Sequence, residues 1–211
     1  MPRQPTPTAE PFLPPTRTVP AMTRACQACR GCELYQEATQ AVFGAGPARA
    51  RLMLVGEMPG DEEDRTGAAF VGPAGKLLDR ALGTAGVERA AVYVTNAVKH
   101  FQHVDHGARR QHKTPGARHI SACRPWLLAE IAAVDPRVIV ALGATALRGV
   151  MGTAMTITSV RGKAVPWPGD GERMVIAKVH PASILRAPDR EARETALAGL
   201  VADLRRAGAT R

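Results

Sequence analysis

Four apolar segments of the chain each end in a polar or glycine-rich sequence, and segments with helical patterns separate them. Strands that alternate with helices are typical of a parallel sheet with helices on both faces. In an open sheet of this kind, ligands bind beyond the carboxyl ends of the strands. The sequence therefore predicts a single α/β/α sandwich with a central, mostly parallel four-stranded sheet and one pocket. The predicted strands cover residues 51–56, 91–95, 137–142 and 173–179.

The predicted helices lie between and after these strands. Apolar residues recur every four positions in the last one, so that helix is expected to face the sheet. A β-like stretch covers 156–166, and residues 1–20 contain seven prolines and read as a disordered or extended tail. One domain over 21–211 is the simplest interpretation. The helices are predicted near 74–85, 119–133, 144–151 and 189–207.

The charge of the chain indicates a polyanionic partner. The net charge is +9, which favours nucleic acid first and an anionic membrane surface second. Aromatic residues make up only 4%, which argues against binding of single strands by repeated base stacking. No apolar run is long enough to span a bilayer, and the first residues lack the apolar stretch of a signal peptide. A reducing cytosol is the expected compartment.

Three of the predicted strand ends carry chemistry. Glu57, in Gly56-Glu57-Met58-Pro59-Gly60, could activate a water or stabilise a cation. Asn96 offers one acceptor and two donors, which match the edge of a pyrimidine. His180 is expected to arrive at the same pocket. A carboxylate, an amide and an imidazole together suggest catalysis, although each alone is more often a turn or structural residue.

The segment after the first strand contains an acidic run and a sequence similar to a phosphate loop. Glu62, Glu63 and Asp64 are interpreted as solvated loop residues. The segment 70–76 fails the phosphate-loop pattern because Phe70 stands where glycine is required. Phe70 could instead stack on a flat ring, although a phenylalanine is more often part of a core.

The segment 99–118 is strongly basic, and together with His119 directly after it contains five of the six histidines. A solvated loop that binds phosphate is the plain interpretation. Within it, Arg109-Arg110-Gln111-His112 could also place an imidazole against a substrate sugar.

The cysteines suit a metal site better than a secreted disulfide framework, because three are packed into Cys26-x-x-Cys29-x-x-Cys32. An iron–sulfur cluster and zinc are the competing interpretations. Two ligand sets are open, and spacing alone slightly favours the all-cysteine one. They are Cys29, Cys32, His100 and Cys123, or Cys26, Cys29, Cys32 and Cys123.

Over residues 24–207 the chain resembles the iron–sulfur uracil-DNA glycosylases, and most of all the X-type branch, which becomes covalently joined to DNA after removing uracil. Each matching stretch is weak alone, whereas the ordered set is specific. The stretches are Cys29-Arg30-Gly31-Cys32-Glu33-Leu34-Tyr35, Gly56-Glu57-Met58-Pro59-Gly60, Phe70-Val71-Gly72-Pro73-Ala74-Gly75, Val94-Thr95-Asn96-Ala97-Val98-Lys99, Cys123-Arg124-Pro125-Trp126, Leu142-Gly143-Ala144-Thr145-Ala146 and His180-Pro181-Ala182-Ser183-Ile184-Leu185-Arg186.

The resemblance implies roles for individual residues. Phe70 would stack on a flipped uracil, Asn96 would read its edge, and His180 would stabilise the uracil anion. Glu57 would assist at the sugar, and His112 would capture its C1′ atom in place of water. Gly56 and Met58 would line the base pocket. The expected DNA contacts are Arg109, Arg110, Lys113, Ser183 and Arg186.

Some positions depart from the family pattern. The X-type loop reads Lys-Arg-Arg-Ile-His, and Ala108 and Gln111 replace its Lys and Ile. Met58 replaces the usual Gln of the first loop. His100 stands where conventional members carry their third cysteine, which by resemblance favours the [4Fe–4S] ligands Cys29, Cys32, His100 and Cys123 and leaves Cys26 spare.

The expected function is therefore uracil excision followed by a covalent His–C1′ adduct, by a monomer acting on DNA in a bacterial cytoplasm. Two alternatives stay open. One is a conventional glycosylase that turns over, in which His112 only touches phosphate. The other is a non-catalytic iron–sulfur module that binds DNA, against which Glu57, Asn96 and His180 argue.

Overall fold

A five-stranded sheet with one antiparallel edge strand forms the centre of the protein. The computed structural model describes residues 7–107, 109–160 and 163–209. The strands in chain order are β1 (Leu52–Gly56), β2 (Val92–Asn96), β3 (His103–His106), β4 (Arg109–His112), β5 (Val138–Leu142), β6 (Ala164–Pro166) and β7 (Met174–Lys178). The sheet order is β2-β1-β5-β7-β6, and β3 and β4 form a separate antiparallel hairpin.

The predicted α/β class and the four parallel strands are confirmed. The sheet has one strand more than predicted, because β6 pairs antiparallel with β7. The β-like stretch 156–166 divides into a short helix and this edge strand. The basic segment expected to be a loop contains the hairpin of β3 and β4, most of which is exposed.

Helices cover both faces of the sheet, which is why β1, β2 and β5 are buried along their whole length. Alternate residues of β1 pack into different cores. Leu52 and Leu54 join α3 and α8, whereas Met53 and Val55 join α4 and α5. Among the described residues, no helix is long and apolar enough to cross a membrane. The helices are α1 (Val19–Cys26), α2 (Asp61–Thr66), α3 (Pro73–Ala85), α4 (Ala117–Val134), α5 (Ala144–Met151), α6 (Ile157–Val160), α7 (Pro181–Leu185) and α8 (Arg190–Ala209).

The chain reverses its direction across the sheet between β1 and β5. From β1 it moves outward to β2, and it then returns to add β5 and β7 on the other side. The carboxyl ends of neighbouring strands diverge into a crevice at such a switch point. The pairing of Gly56 with Asn96 and of Leu142 with Lys178 keeps all four parallel strand ends level.

Part of the expected proline-rich tail is structured. Residues 1–6 lie outside the described part of the chain. Ala9 is buried, and its N–H donates to the carbonyl of Ala122 in α4 at 2.8 Å. Glu10–Phe12 then form a short 3-10 turn before α1. The predicted tail, disordered or extended, is thus ordered from Ala9 onward, where its backbone packs closely against Gly31. The domain boundaries otherwise stay a prediction.

Two of the three acidic residues expected to be solvated are buried. Glu63 accepts hydrogen bonds from the N–H groups of Gly60 at 3.1 Å and Gly72 at 2.8 Å. Asp64 is fully buried and accepts from the N–H of Thr39 at 3.0 Å. The acidic run is therefore the short helix α2, which ties together the loops on either side of it.

Replacing Glu63 by alanine should destabilise the protein by about 1–3 kcal/mol, because it leaves buried N–H groups without acceptors. Urea denaturation at neutral pH measures this loss. The matched control is Glu62→Ala, since Glu62 is half exposed and only contacts Lys76 at 3.7 Å. That change should cost less than about 0.5 kcal/mol. Equal losses would show that the carboxylate of Glu63 does not support the two loops.

Candidate active site

Glu57 and Thr145 meet in the crevice at the switch point of the sheet. Glu57 directly follows β1, and Thr145 lies in the first turn of α5 after β5. The hydroxyl of Thr145 donates to Glu57 Oε2 at 2.7 Å. This bond fixes the orientation of the carboxylate and leaves its other oxygen free for a second partner.

His112 provides that partner from the last position of the hairpin. Its Nε2 lies 3.2 Å from Glu57 Oε1. The imidazole is 47% exposed, so a substrate can reach it. The ring of Phe101 lies below the hairpin, with its centroid 6.3 Å from that of His112 and 5.1 Å from that of His103. The structure thus brings together the predicted carboxylate and the predicted nucleophile, which are 55 positions apart in the chain.

Glu57 is held in its charged form by its neighbours. Burial alone would raise the pKa of this carboxyl, but the hydrogen bonds from His112 and Thr145 outweigh it. The net effect lowers the pKa of Glu57 below its ordinary value. A carboxylate in this position can stabilise positive charge that develops on a substrate.

His180 follows β7 and lies close enough to Glu57 for the charge of that carboxylate to affect its pKa. Burial lowers the pKa of His180 to about 4, against the opposing effect of the negative charge of Glu57. Its Nδ1 accepts a hydrogen bond from the N–H of Ala182 at 3.1 Å and so caps α7. In the neutral ring the hydrogen is therefore on Nε2, which can donate to a substrate oxygen.

Gly56, Asn96 and Phe70 form the third part of the site. A Cβ atom at position 56 would lie 2.3 Å from Asn96 Oδ1 and 2.6 Å from Phe70 Cζ, so only glycine fits there. Phe70 has a φ of 58°, in the left-handed region that a phenylalanine rarely adopts. Gly75 permits this turn, because a Cβ there would lie 1.9 Å from the carbonyl oxygen of Phe70. A strained aromatic residue beside a buried amide suits recognition of a flat ring.

Met58 lies apart from the group formed by Gly56, Asn96 and Phe70. Its side chain is buried in the core that contains the cysteines, and its Sδ accepts from the N–H of Gln102 at 3.3 Å. The prediction that its side chain lines the base pocket is therefore wrong. A thioether is apolar and packs into the nearest core, whereas the usual Gln would not.

Arg110 anchors the hairpin, which corrects its assignment as a phosphate contact. Its guanidinium donates to Asp61 Oδ1 at 2.5 Å and to Asp64 Oδ2 at 2.7 Å. It also stacks on Phe101 at 5.4 Å. With the carboxylates of Asp61 and Asp64 as partners, Arg110 has little capacity left for DNA. Arg109 next to it is exposed.

The remaining expected DNA contacts lie at the surface around the site. Lys113 is exposed and lines a groove of about 560 Å³ together with Arg118. Ser183 is exposed, and its hydroxyl donates to the carbonyl of His180 at 2.7 Å. Burial is the main cause of the lowered pKa of His180, and the positive charge of Arg186 lowers it further. The departure from the family pattern at Ala108 lies outside the described residues.

All four cysteines are buried as free thiols in one core. The indole N–H of Trp126 donates to Cys29 Sγ at 3.2 Å, and the N–H of Lys99 donates to Cys123 Sγ at 3.3 Å. Burial raises the pKa of Cys123 to about 12, opposed by the positive charge of Lys99 and supported by the neighbouring Cys32 and Cys29. The effect of the thiols on one another's ionisation shows that they lie close together, and N–H donors are already directed at two of the sulfur atoms. Clustered sulfur atoms of this kind are a suitable donor set for a metal centre.

His100 is also buried, and burial lowers its pKa to about 4 while the charge of Asp64 acts in the opposite direction. The neutral imidazole is the form that binds metals. In the described part of the chain, no three His, Cys, Asp or Glu side chains are arranged so that they could hold a metal ion as they stand.

Sequence reasoning missed several residues of the site. Thr145 belongs to a matched motif but was given no role, and Asp61 was not singled out. Glu130, a single carboxylate among apolar residues of α4, is fully buried and was not singled out. Its place on the apolar face of a helix was the one signal available.

The comparison with known proteins agrees with this geometry. Residues 43–205 match the family model described as the uracil DNA glycosylase superfamily. This chain belongs to that superfamily. It is 41% identical over 170 residues to a protein of Thermotoga maritima named type-4 uracil-DNA glycosylase, with 80% of this chain and 84% of that protein covered. A protein of the same name from Sulfurisphaera tokodaii is 38% identical over 167 residues, with 76% and 73% covered.

Membership of the superfamily confirms the predicted family. It does not test the prediction of the X-type branch. The relatives are named as type-4 proteins, so the X-type branch and its covalent step stay proposals. The superfamily assignment agrees with the fold, since the matched region begins just before β1 and ends within α8.

The buried His180 should make the stability of the protein depend on pH. In the unfolded chain the imidazole takes up a proton near its ordinary pKa of about 6.5. In the folded protein it does so only near 4. Between these values the unfolded state binds more protons, so the stabilising contribution of neutral His180 is lost as the pH falls.

The comparison of wild type with His180→Gln isolates this effect, because every other group titrates in both proteins. We expect wild type to lose more free energy of unfolding than the variant between about pH 7 and about pH 4.5, as measured by urea denaturation. Parallel pH curves for the two proteins would mean that His180 is not desolvated.

Proposed function

We propose that this protein excises uracil from DNA, flipped out of a duplex or in a single strand, and that His112 then captures the sugar. The observation that carries the proposal is the 3.2 Å contact between His112 Nε2 and Glu57 Oε1 in the crevice of the sheet. It supports the proposal because the same carboxylate that would stabilise a sugar cation also holds a nucleophile beside it.

Uracil must leave the base stack to reach a buried site. Phe70 would stack on the extruded ring, and Asn96 would pair with its edge through one acceptor and two donors. Gly56 leaves the space that the Asn96 amide and the Phe70 ring occupy. With its oxygen toward N3–H and its amino group toward O4, Asn96 would fit uracil, whereas cytosine, which carries an amino group in place of O4, would need the amide in the reverse orientation.

Breaking the bond between C1′ and the base nitrogen separates charge. The bonding electron pair leaves with uracil, and the sugar becomes cationic. The Nε2–H of neutral His180 can donate to the uracil oxygen as negative charge develops, and the Glu57 carboxylate faces the cation. A histidine that stays neutral is suited to this role, because it donates a hydrogen bond and gives up no proton.

The covalent step follows at the same carbon. In the neutral tautomer that carries its hydrogen on Nδ1, the lone pair of His112 Nε2 forms a bond to C1′, and the resulting imidazolium loses its Nδ1 proton to solvent. The product is a neutral alkylated imidazole on an otherwise intact DNA strand, and the uracil anion takes a proton from solvent. Water in the position of His112 would instead give hydrolysis.

DNA binding would come mainly from charge. The net charge of +9 favours binding to a phosphate backbone, and Arg109, Lys113, Ser183 and Arg186 lie where they could contact it. The affinity should therefore fall with salt. We propose that the protein acts as a monomer on DNA in a bacterial cytoplasm.

A conventional glycosylase is the second candidate, and the type-4 names of the relatives favour it. In this alternative His112 only approaches the phosphate or sugar, and water attacks C1′. Recognition and bond cleavage would be the same in both cases.

Wild type should give a one-to-one protein–DNA adduct with a labelled uracil-containing strand. Because a bond between nitrogen and carbon does not depend on folding, the adduct should survive denaturant and heat on a gel. His112→Ala should form no adduct and should still release uracil with turnover, since water can then reach the cation.

His106→Ala is the matched control, because His106 is an exposed histidine of the same hairpin and has no place in the site. It should keep the adduct. Turnover without an adduct in wild type would establish the conventional alternative. An adduct in His112→Ala would place the nucleophile elsewhere, and a failure to release any uracil would contradict catalysis altogether.

We further propose that Cys29, Cys32, His100 and Cys123 hold a [4Fe–4S] cluster. When bound, the cluster would act as a structural clamp between the N-terminal segment and the chain after Lys99. The hydrogen bonds from Trp126 and from the N–H of Lys99 to sulfur would support thiolate ligands.

Iron content and visible absorbance of the purified protein test this assignment. Cys29→Ser should lose iron because a ligand is removed, whereas Cys26→Ser is the matched change at a buried, spare thiol and should keep it. Loss of iron in Cys26→Ser but not in His100→Ala would favour the all-cysteine set. Colourless protein that contains zinc would contradict the cluster.

A further inference from the structure

Lys99 is a fully buried lysine that lies between the base-reading end of β2 and the cysteines. Its ammonium group donates to Thr95 Oγ1 at 2.7 Å and to the carbonyl oxygen of Asn96 at 2.8 Å, and it forms an ion pair with Glu130. It also lies over the ring of Phe43 at 5.2 Å. All three hydrogens of the ammonium therefore have acceptors.

Glu130 is the matching carboxylate on α4, and it is also fully buried. Besides Lys99, it accepts from the hydroxyls of Tyr93 and Thr95, each at 2.9 Å, and from the N–H of Gly44 at 3.1 Å. The side chains of Lys99 and Glu130 are both completely shielded from solvent. Because a buried ion pair is often no more stabilising than apolar residues of the same size, stability alone does not explain its presence.

The position of the network suggests a different role. The bond from Lys99 to the Asn96 carbonyl spans the turn that follows β2, and that turn determines where the Asn96 side chain is directed. Asn96 in turn stands beside Gly56 in register across the sheet. On its other side, the backbone N–H of Lys99 donates to Cys123 Sγ at 3.3 Å. One residue thus contacts both the cysteine core and the base-reading residue.

We infer that Lys99, with Glu130 as its counter-charge, is a positioning residue for base recognition, which holds the turn after β2 so that Asn96 faces the uracil edge. The inference rests on the proposed function of Asn96. Neither Lys99 nor Glu130 touches the reacting atoms, so the effect must pass through Asn96. A merely structural role would lower stability without depending on that residue.

The test is a double-mutant cycle between Asn96→Ala and the neutral pair Lys99→Met with Glu130→Gln. The quantity measured is the rate of uracil release from a single-stranded oligonucleotide under single-turnover conditions, well below the melting temperature of every variant. With Asn96 present, the neutral pair should lower the rate roughly tenfold, because a charge-assisted hydrogen bond to the turn is lost. In the Asn96→Ala background it should lower the rate less than about twofold.

Tyr93→Phe is the matched control, because it removes a buried hydrogen bond to Glu130 and leaves the bond from Lys99 to Asn96 in place. It should lower the melting temperature and change the rate less than about twofold. Binding of uracil-free DNA, measured by fluorescence anisotropy, should be the same in all variants.

If the neutral pair does not fold, Lys99→Arg replaces it. The guanidinium keeps a positive charge opposite Glu130 but cannot place a donor where the ammonium lies, so the rate should again fall only when Asn96 is present. Equal rate losses in both backgrounds, or a loss in Tyr93→Phe as large as in the neutral pair, would overturn the inference. A rate unaffected by Asn96→Ala would instead contradict the role of Asn96 in the proposed function.

Discussion

The parallel pairing of β1 with both β2 and β5 is the constraint on which the site depends. Pairing in register places Gly56 beside Asn96, and the change of chain direction between β1 and β5 opens the crevice that receives Glu57 and Thr145. These residues are far apart in the sequence. Their distances are determined by hydrogen bonds of the backbone, which a substitution at the surface does not disturb. The candidate site is thus built on the ends of the buried central strands.

Buried charges attach the remaining parts to this sheet. Arg110 holds the hairpin of His112 against α2, and Glu63 holds α2 against the loops on either side of it. Lys99 and Glu130 do the same for the turn after β2. Arg110 and Lys99 reach carboxylates that are distant in the sequence, whereas Glu63 reaches backbone N–H groups three and nine positions away. Charges that bind DNA must stay at the surface. An Arg or Lys that holds a segment through a buried ion pair is therefore not available to contact DNA.

The sequence was sufficient to predict the parallel strands, whose carboxyl ends carry Glu57, Asn96 and His180. Periodicity locates strands, and a parallel sheet brings their carboxyl ends to one edge. The sequence was not sufficient to predict the contacts of Arg110 or Met58, because the environment of a side chain depends on partners from distant segments. Asp61 and Asp64, which bind Arg110, precede it by 49 and 46 positions. Strand β6 is short and ends in a proline, so its pattern was too weak to count as a fifth strand.

The core that contains the cysteines supports three segments that carry residues of the candidate active site. Met58, which directly follows Glu57, packs into this core, and its sulfur accepts from the N–H of Gln102 just before the hairpin. Lys99 reaches the same core through Cys123. The loop of Glu57, the turn of Asn96 and the base of the His112 hairpin therefore all rest on one cluster of residues. Whatever fixes the cysteines, a metal cluster or packing alone, also sets how these three groups stand relative to one another.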